Sequence, residues 1–288
     1  MKADKTGLVL EGGGFRGIYG AGPVDYFIEK NIEFPYMIGV SMGSCNGANY
    51  LSKQVGRNLQ IPYTYVNDKR YMSYRRLITK GELFGMDFIF NEVPHKLIPW
   101  DFETLRKCKT KFVIVTTDCE TGKPFYVDDF KKYDILEAFK ASTSLPFASK
   151  MVNLAGRKLL DGGISDSIPY RKALEDGCKK MVIVLTQPKN YRKNPSSSAK
   201  LAKIMYRKYP KLIEAITHRH EIYNRTLDEI EVLEKKGIAF VIRPETTLPL
   251  KRIERNKEML KHVFDIGYNQ IASYEADLMK FLKKSVNS

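Results

Sequence analysis

The chain has 288 residues, 48 of them Lys or Arg against 33 Asp or Glu, for a net charge of +15. That length buries a substantial core and fits one large α/β domain or two small ones. No uninterrupted apolar run approaches the ~18 residues of a membrane span, and no apolar stretch precedes a cleavage site near the start, so a secretory signal is not expected. Four cysteines, Cys45, Cys108, Cys119 and Cys178, lack metal-ligand spacing and fit a reduced, cytoplasmic setting.

In chain order, an apolar strand at 7–10 leads into Glu11-Gly12-Gly13-Gly14-Phe15-Arg16-Gly17, which opens a helix over 18–30. A second strand, 36–40, ends in Gly39-Val40-Ser41-Met42-Gly43, and small residues favour a helix over 42–51. Residues 55–110 carry few clear strands and many aromatics, and are expected beside the rim of a site. A strand at 112–116 and a helix at 134–141 follow, then a hairpin of 150–154 and 157–160 around Ala155-Gly156. The remainder predicts a helix at 170–175, a strand at 181–186, a polar loop at 188–198, a helix at 211–236, a strand at 239–242 and a helix at 252–282. Strands alternating with helices predict a three-layer α/β/α fold around a mostly parallel sheet. A single domain over 1–288 is expected, with a core near 7–175 and residues 176–288 completing or flanking it.

Two glycine-rich turns carry the chemistry. Gly39-Val40-Ser41-Met42-Gly43 is a G-x-S-x-G pattern between strand and helix, where a sharp turn pushes the serine hydroxyl out of the backbone. The glycines on either side of Ser41 avoid collisions across so tight a turn. The plainer alternative is a serine that only caps the helix. Gly12, Gly14 and Gly17 also satisfy G-x-G-x-x-G, so dinucleotide binding is weighed. That fingerprint needs an acid at the end of the second strand; Ser41 follows that strand, and Glu33 lies at its opposite end. The other use of the glycines is an oxyanion hole, in which several backbone N–H groups converge on one point without intervening side chains. Adjacent parallel strands would bring both turns together at their C-terminal ends, where ligands bind in open α/β sheets.

A nucleophilic hydroxyl needs a base. His95, His218, His220 and His262 are the available histidines, and the last three satisfy the order serine, acid, histidine. An elbow after only one preceding strand, and a polar helix around His218 and His220, count against a histidine triad. Asp161, ahead of Gly162-Gly163, is the other candidate, although Asp-Gly-Gly is commonly a turn.

These motifs resemble the patatin-like phospholipase family. The glycine loop Gly12–Gly17, the elbow 39–43 and Asp161-Gly162-Gly163 occur in the family's order, and Ala141-Ser142-Thr143-Ser144-Leu145-Pro146 is similar to its A-S-x-x-x-P stretch. The resemblance covers about residues 7–175. One departure is Ser167-Ile168-Pro169, where the family often has Asn-x-Pro. The resemblance implies a serine lipid acyl hydrolase acting on phospholipids, lysophospholipids or related esters. Ser41 and Asp161 would form its dyad. Gly12, Gly13, Gly14, Phe15, Arg16 and Gly17 would frame the oxyanion hole, Gly39, Val40, Met42 and Gly43 the elbow, and Gly162 and Gly163 the acid loop. Arg16 would engage a substrate phosphate or buttress the loop, the second being the simpler role. No step of this chemistry calls for a metal or other cofactor. Because an unperturbed aspartate is a weak base for a hydroxyl, Asp161 is expected to be largely desolvated and within hydrogen-bond reach of Ser41.

Two other functions remain open: a non-catalytic nucleotide, phosphate or lipid binder built on residues 12–17, and a histidine-triad esterase. Basic residues cluster at 69–76, 106–111 and 191–211, the last interleaved with Tyr191, Met205, Tyr206 and Tyr209. Most read as solvated helix faces. Peripheral association with an anionic membrane comes next, and nucleic acid is not expected as a partner.

Overall fold

The computed structural model describes residues 6–250 and 253–284. The reading of the extreme N-terminus and of Arg252 as a helix start fall outside the described residues.

The Val- and Ile-rich runs pair into one sheet. Strands β1 (Thr6–Leu10), β2 (Tyr36–Val40), the first part of β3 (Lys111–Asp118), β7 (Lys180–Val184) and β8 (Ala239–Ile242) are parallel, in the order β3-β2-β1-β7-β8. Three short strands, β4 (Pro124–Val127), β5 (Val152–Leu154) and β6 (Arg157–Asp161), add antiparallel pairing at the β3 end. Strand β4 is absent from the sequence reading because its four residues show no alternation long enough to register. The β5–β6 hairpin closes through Ala155 and Gly156, both at positive φ (56° and 70°), a two-residue turn that matches strand twist.

Both sheet faces are buried, and the strand side chains alternate between two apolar layers. Leu8, Leu10, Met37, Phe112, Ile114 and Val182 face α1 (Gly17–Glu29), α2 (Met42–Leu51), α6 (Ile135–Thr143) and α10 (Lys257–Ser273). Val9, Ile38, Val113, Val115 and Ile183 face α7 (Tyr170–Glu175) and α9 (Pro210–Lys235). The expected three layers are therefore present. Residues 55–110 fold into α3 (Arg57–Tyr65), α4 (Tyr74–Lys80), a π-helical segment (Phe88–Leu97) and α5 (Phe102–Lys107). A further short helix, α8 (Ala199–Met205), follows the polar loop.

The continuous helix expected over 252–282 is instead α10 and α11 (Glu275–Lys283), separated at Tyr274. Asn256 caps α10 by accepting from the N–H groups of Glu258 and Met259. At the break, the Ser273 hydroxyl donates to the Gln270 carbonyl at 2.7 Å, the kind of side-chain bond that competes with the helical ladder. Helices α1 and α10 approach closely where Gly22 meets the Gly267–Tyr268 backbone. A Cβ on Gly267 would lie 2.1 Å from the Tyr19 carbonyl oxygen.

On α1, the buried Asp25 carboxylate accepts from Gly56 N–H at 2.8 Å and from the Asn58 amide at 3.4 Å. Burial outweighs these bonds and raises its pKa to about 6. A folded-state pKa above the unfolded one means that the protonated form is the stabilising one. That contribution is complete below about pH 4 and is lost as pH rises through about 6. Asp25→Asn removes this dependence. Between pH 4 and pH 7 the wild type should lose up to about 3 kcal/mol more unfolding free energy than the variant, as read from denaturant titrations. Parallel pH profiles for the two proteins would contradict it.

Candidate functional site

Strand β2 ends at Val40 and α2 starts at Met42, leaving Ser41 at φ 54° and ψ −125°. A non-glycine residue held there is strained, and such strain is concentrated at functional turns. The turn tolerates no side chains beside it. A Cβ on Gly39 would lie 2.7 Å from Ser44 Cα, and one on Gly43 would lie 2.6 Å from the carbonyl oxygens of both Leu10 and Glu11. Ser44 N–H and its hydroxyl both bond the Ser41 carbonyl, at 3.0 and 2.6 Å. The Ser41 N–H donates to Ser142 Oγ at 2.9 Å, and Ser142 Oγ donates in turn to the Val115 carbonyl at 2.6 Å. Ser41 itself is 5% exposed.

Asp161 reaches the same point from the other direction. Ile114 pairs with both Gly39 and Val127, and Thr116 pairs with both Phe125 and Asp161. A strand residue has one ladder partner on each edge, so β4 occupies one edge of β3 while β2 and β6 share the other. Val40 is opposite Val115 and Asp161 is opposite Thr116. The edge therefore passes from the serine strand to the aspartate strand in a single residue step. Asp161 is 4% exposed, its N–H donates to the Ser144 carbonyl at 2.8 Å, and its Oδ1 accepts from Gly163 N–H at 2.7 Å. Gly162 packs onto β3, where a Cβ would be 2.3 Å from the Val115 oxygen. Residues 141–144 thus hold both sides, Ser142 fixing the serine backbone and Ser144 the aspartate backbone.

The glycine loop lies beside the elbow. A Cβ on Gly12 would be 3.2 Å from Ser41 Cβ and one on Gly17 would be 2.5 Å from Met42 Cγ. Gly12, Gly13 and Gly14 are partly exposed at the strand ends, while Phe15 is buried and its ring lies 6.3 Å from Phe84. Gly14 has φ 56° and opens a 3-10 turn ahead of α1. Below the loop, the buried Glu11 carboxylate accepts from Thr186 N–H (2.5 Å), Thr186 Oγ1 (3.1 Å) and the Tyr223 hydroxyl (2.5 Å). Burial raises its pKa against these bonds and the nearby Lys193. Burial also raises the Tyr223 phenol, with Glu11 adding to the shift and the positive charge of Arg16 opposing it.

A family model described as patatin-like phospholipase matches residues 8–174, more than half of the chain. The chain belongs to the patatin-like phospholipase family. A second model, a domain of unknown function (DUF6363), matches residues 209–283. The uncharacterized protein YjjU of Escherichia coli K12 is 29% identical over 198 residues, covering 64% of this chain; the chain spans about half (52%) of that relative's length. Among solved structures, VipD from Legionella pneumophila aligns with a TM-score of 0.46 and 15% identity, over 97% of this chain and 67% of its own.

Within this patatin-like core, the four segments singled out by sequence meet at one place: the glycine loop, the elbow, residues 141–146 and Asp161-Gly162-Gly163. The histidines lie elsewhere. His95 stacks on Phe102 at 5.0 Å, His218 bonds Glu221, His220 bonds the Thr217 carbonyl, and His262 is exposed. Among the described residues no hydrogen bond joins a histidine to Ser41, and no His, Cys, Asp or Glu cluster is arranged to hold a metal ion. Glu33, the carboxylate nearest β2 in sequence, is exposed and faces Lys53 at 3.8 Å. Two contributors escaped the sequence reading. Ser142 was legible as part of a motif, but its bond to the serine backbone was not. Tyr223 lies 212 positions from Glu11, and nothing local marks it.

Proposed function

We propose that this protein is a serine acyl hydrolase of lipid esters, with Ser41 as nucleophile and Asp161 as its base. The observation supporting this most is the shared edge of β3, which sets a strained serine beside a buried carboxylate with glycine-loop amides adjoining. Ser41 Oγ attacks the ester carbonyl carbon as its proton passes to Asp161. The carbonyl π electrons move onto oxygen, and the N–H groups of Gly13, Gly14 and Phe15 receive that charge, those of Gly12, Arg16 and Gly17 being bonded to the carbonyls of Ser167, Gly13 and Gly14; one such donor contributes on the order of 10²–10³ in kcat. Collapse breaks the ester C–O bond, the alcohol leaves with the proton from Asp161, and Ser41 carries the acyl group. Water, deprotonated by Asp161, then attacks the acyl-serine and regenerates both residues. The carboxylic acid is the second product.

Fluorophosphonate labelling tests the assignment. The wild type should form one covalent adduct located at Ser41, and Ser41→Ala should form none. Unlabelled wild type that binds a nucleotide would instead favour a phosphate-binding role for the loop.

The proposed meeting place with substrate is an anionic bilayer. Leu201, Ile204 and Met205 on α8 are exposed beside Lys200, Lys203, Arg207 and Lys208, and Tyr74 and Ile78 on α4 are exposed beside Arg75 and Lys80. Both helices flank the loop that follows Ser144. The Tyr206 hydroxyl accepts from Phe147 N–H at 2.9 Å, and Leu83 N–H donates to the Ala148 carbonyl at 2.8 Å. Apolar side chains rimmed by cations suit insertion at headgroup level, each cation adding roughly 1 kcal/mol on an anionic surface. Among the described residues no helix is long and apolar enough to cross a membrane. Co-sedimentation should occur with phosphatidylserine-containing vesicles and much less with phosphatidylcholine alone, weaken with salt, and fall several-fold in Ile204→Glu. Equal binding to both vesicle types would remove the charge argument.

A further inference from the structure

One face of α9 reaches both loops of the site. Tyr223 donates to Glu11, the residue immediately ahead of the glycine loop. One turn earlier, Arg219 Nη2 lies 3.4 Å from Ser167 Oγ, and a Cβ on Gly163 would be 3.0 Å from the same nitrogen. Ser167 links the two loops: its hydroxyl donates to the Gly163 carbonyl at 2.7 Å, and its own carbonyl accepts from Gly12 N–H at 3.4 Å. Gly163 N–H in turn bonds Asp161 Oδ1. Residues four apart on a helix share a face, so a single rigid element spans from the aspartate loop to the glycine loop. It does so at Ser167, the position where the sequence departs from the family's usual asparagine.

We propose that Arg219 and Tyr223 are positioning residues of the hydrolase site, holding the aspartate loop and the glycine loop in register, and that this is one task of the C-terminal region, where residues 209–283 match a domain of unknown function. The proposal rests on the hydrolase reading above. It explains why a carboxylate is kept beneath the loop despite the cost of burial: Glu11 gathers Tyr223 from α9 and Thr186 from the end of β7. Lys193 and Tyr191 of the following loop and Arg16 of the glycine loop are the other titratable groups facing this pair. The ionised form accepts all of these bonds, and the Tyr223 hydroxyl favours it. Without that hydroxyl Glu11 takes up its proton at higher pH.

The test uses the full chain with Tyr223→Phe and Arg219→Lys, each keeping bulk or charge while losing the directed bond. With a soluble acyl ester, kcat should fall about 10-fold in either variant while KM stays within about 2-fold. The acid limb of kcat should move to higher pH in Tyr223→Phe but not in Arg219→Lys. Amide hydrogen exchange over residues 12–17 should quicken in Tyr223→Phe, and over 161–167 in Arg219→Lys. Wild-type kcat and pH profile in both variants, with only a lowered melting temperature, would overturn the positioning role and leave α9 as packing. If the wild type neither hydrolyses esters nor reacts with a fluorophosphonate, the hydrolase reading fails. Exchange then decides the mechanical part by itself, and unchanged exchange in both loops overturns that too.

Discussion

Asp161→Asn is expected to lower kcat for a soluble acyl ester about 10³-fold, with KM nearly unchanged, while the protein folds normally. Asparagine keeps the shape of the side chain and an oxygen to accept the Gly163 N–H, so the acid loop has no reason to move. What it loses is the ability to take the Ser41 proton, and a positioned general base contributes typically 10²–10⁴-fold. Ser41→Ala should cost more, on the order of 10⁴–10⁶, because it removes the covalent route altogether. The comparison also separates a dyad from a triad. If Asp161→Asn kept most of the activity and His220→Ala, at the half-buried histidine of α9, abolished it, the base would be the imidazole.

Gly267→Ala is expected to destabilise the protein by at least about 3 kcal/mol, and loss of soluble expression would be the extreme form of the same result. Intrinsic helix propensity predicts the opposite sign, since alanine is favoured over glycine by about 1 kcal/mol inside a helix. Sterics win here because the added methyl would sit 2.1 Å from the Tyr19 carbonyl oxygen and 3.0 Å from Pro23 Cδ. Backbone on the facing helix cannot swing aside as a side-chain tip can, so α1 and α10 must separate. Their interface buries Leu260, Val263 and Ile271. Denaturant unfolding of the variant measures the effect; a change within about 0.5 kcal/mol would show that the helices are not so closely apposed.

Much of this arrangement is legible in the sequence. Apolar runs located the parallel strands, small residues after the elbow located α2 and a long amphipathic run located α9, each to within a residue or two. The motifs also located Ser41, the glycine loop and Asp161, since each needs glycines at fixed offsets. The missing parts were long-range. Strand β4 is too short for a pattern, and the break at Tyr274 falls within a stretch whose apolar spacing continues across it. The Tyr223–Glu11 bond joins residues that only the fold brings together. Ser167 was visible as an oddity, but its partner Arg219 was not.

The positive φ of Ser41 has a consequence for the sheet itself. A backbone at 54° cannot continue a β ladder, so β2 stops pairing at Val115. Thr116, the next site along that edge, is then available to Asp161. Had residue 41 stayed extended, β2 would run one residue further and displace the incoming hairpin strand. The same local kink that turns the serine outward thus acts as a stop codon for strand pairing, reserving a berth for a residue 120 positions later. A substitution that relaxed it would disturb the aspartate as well as the serine.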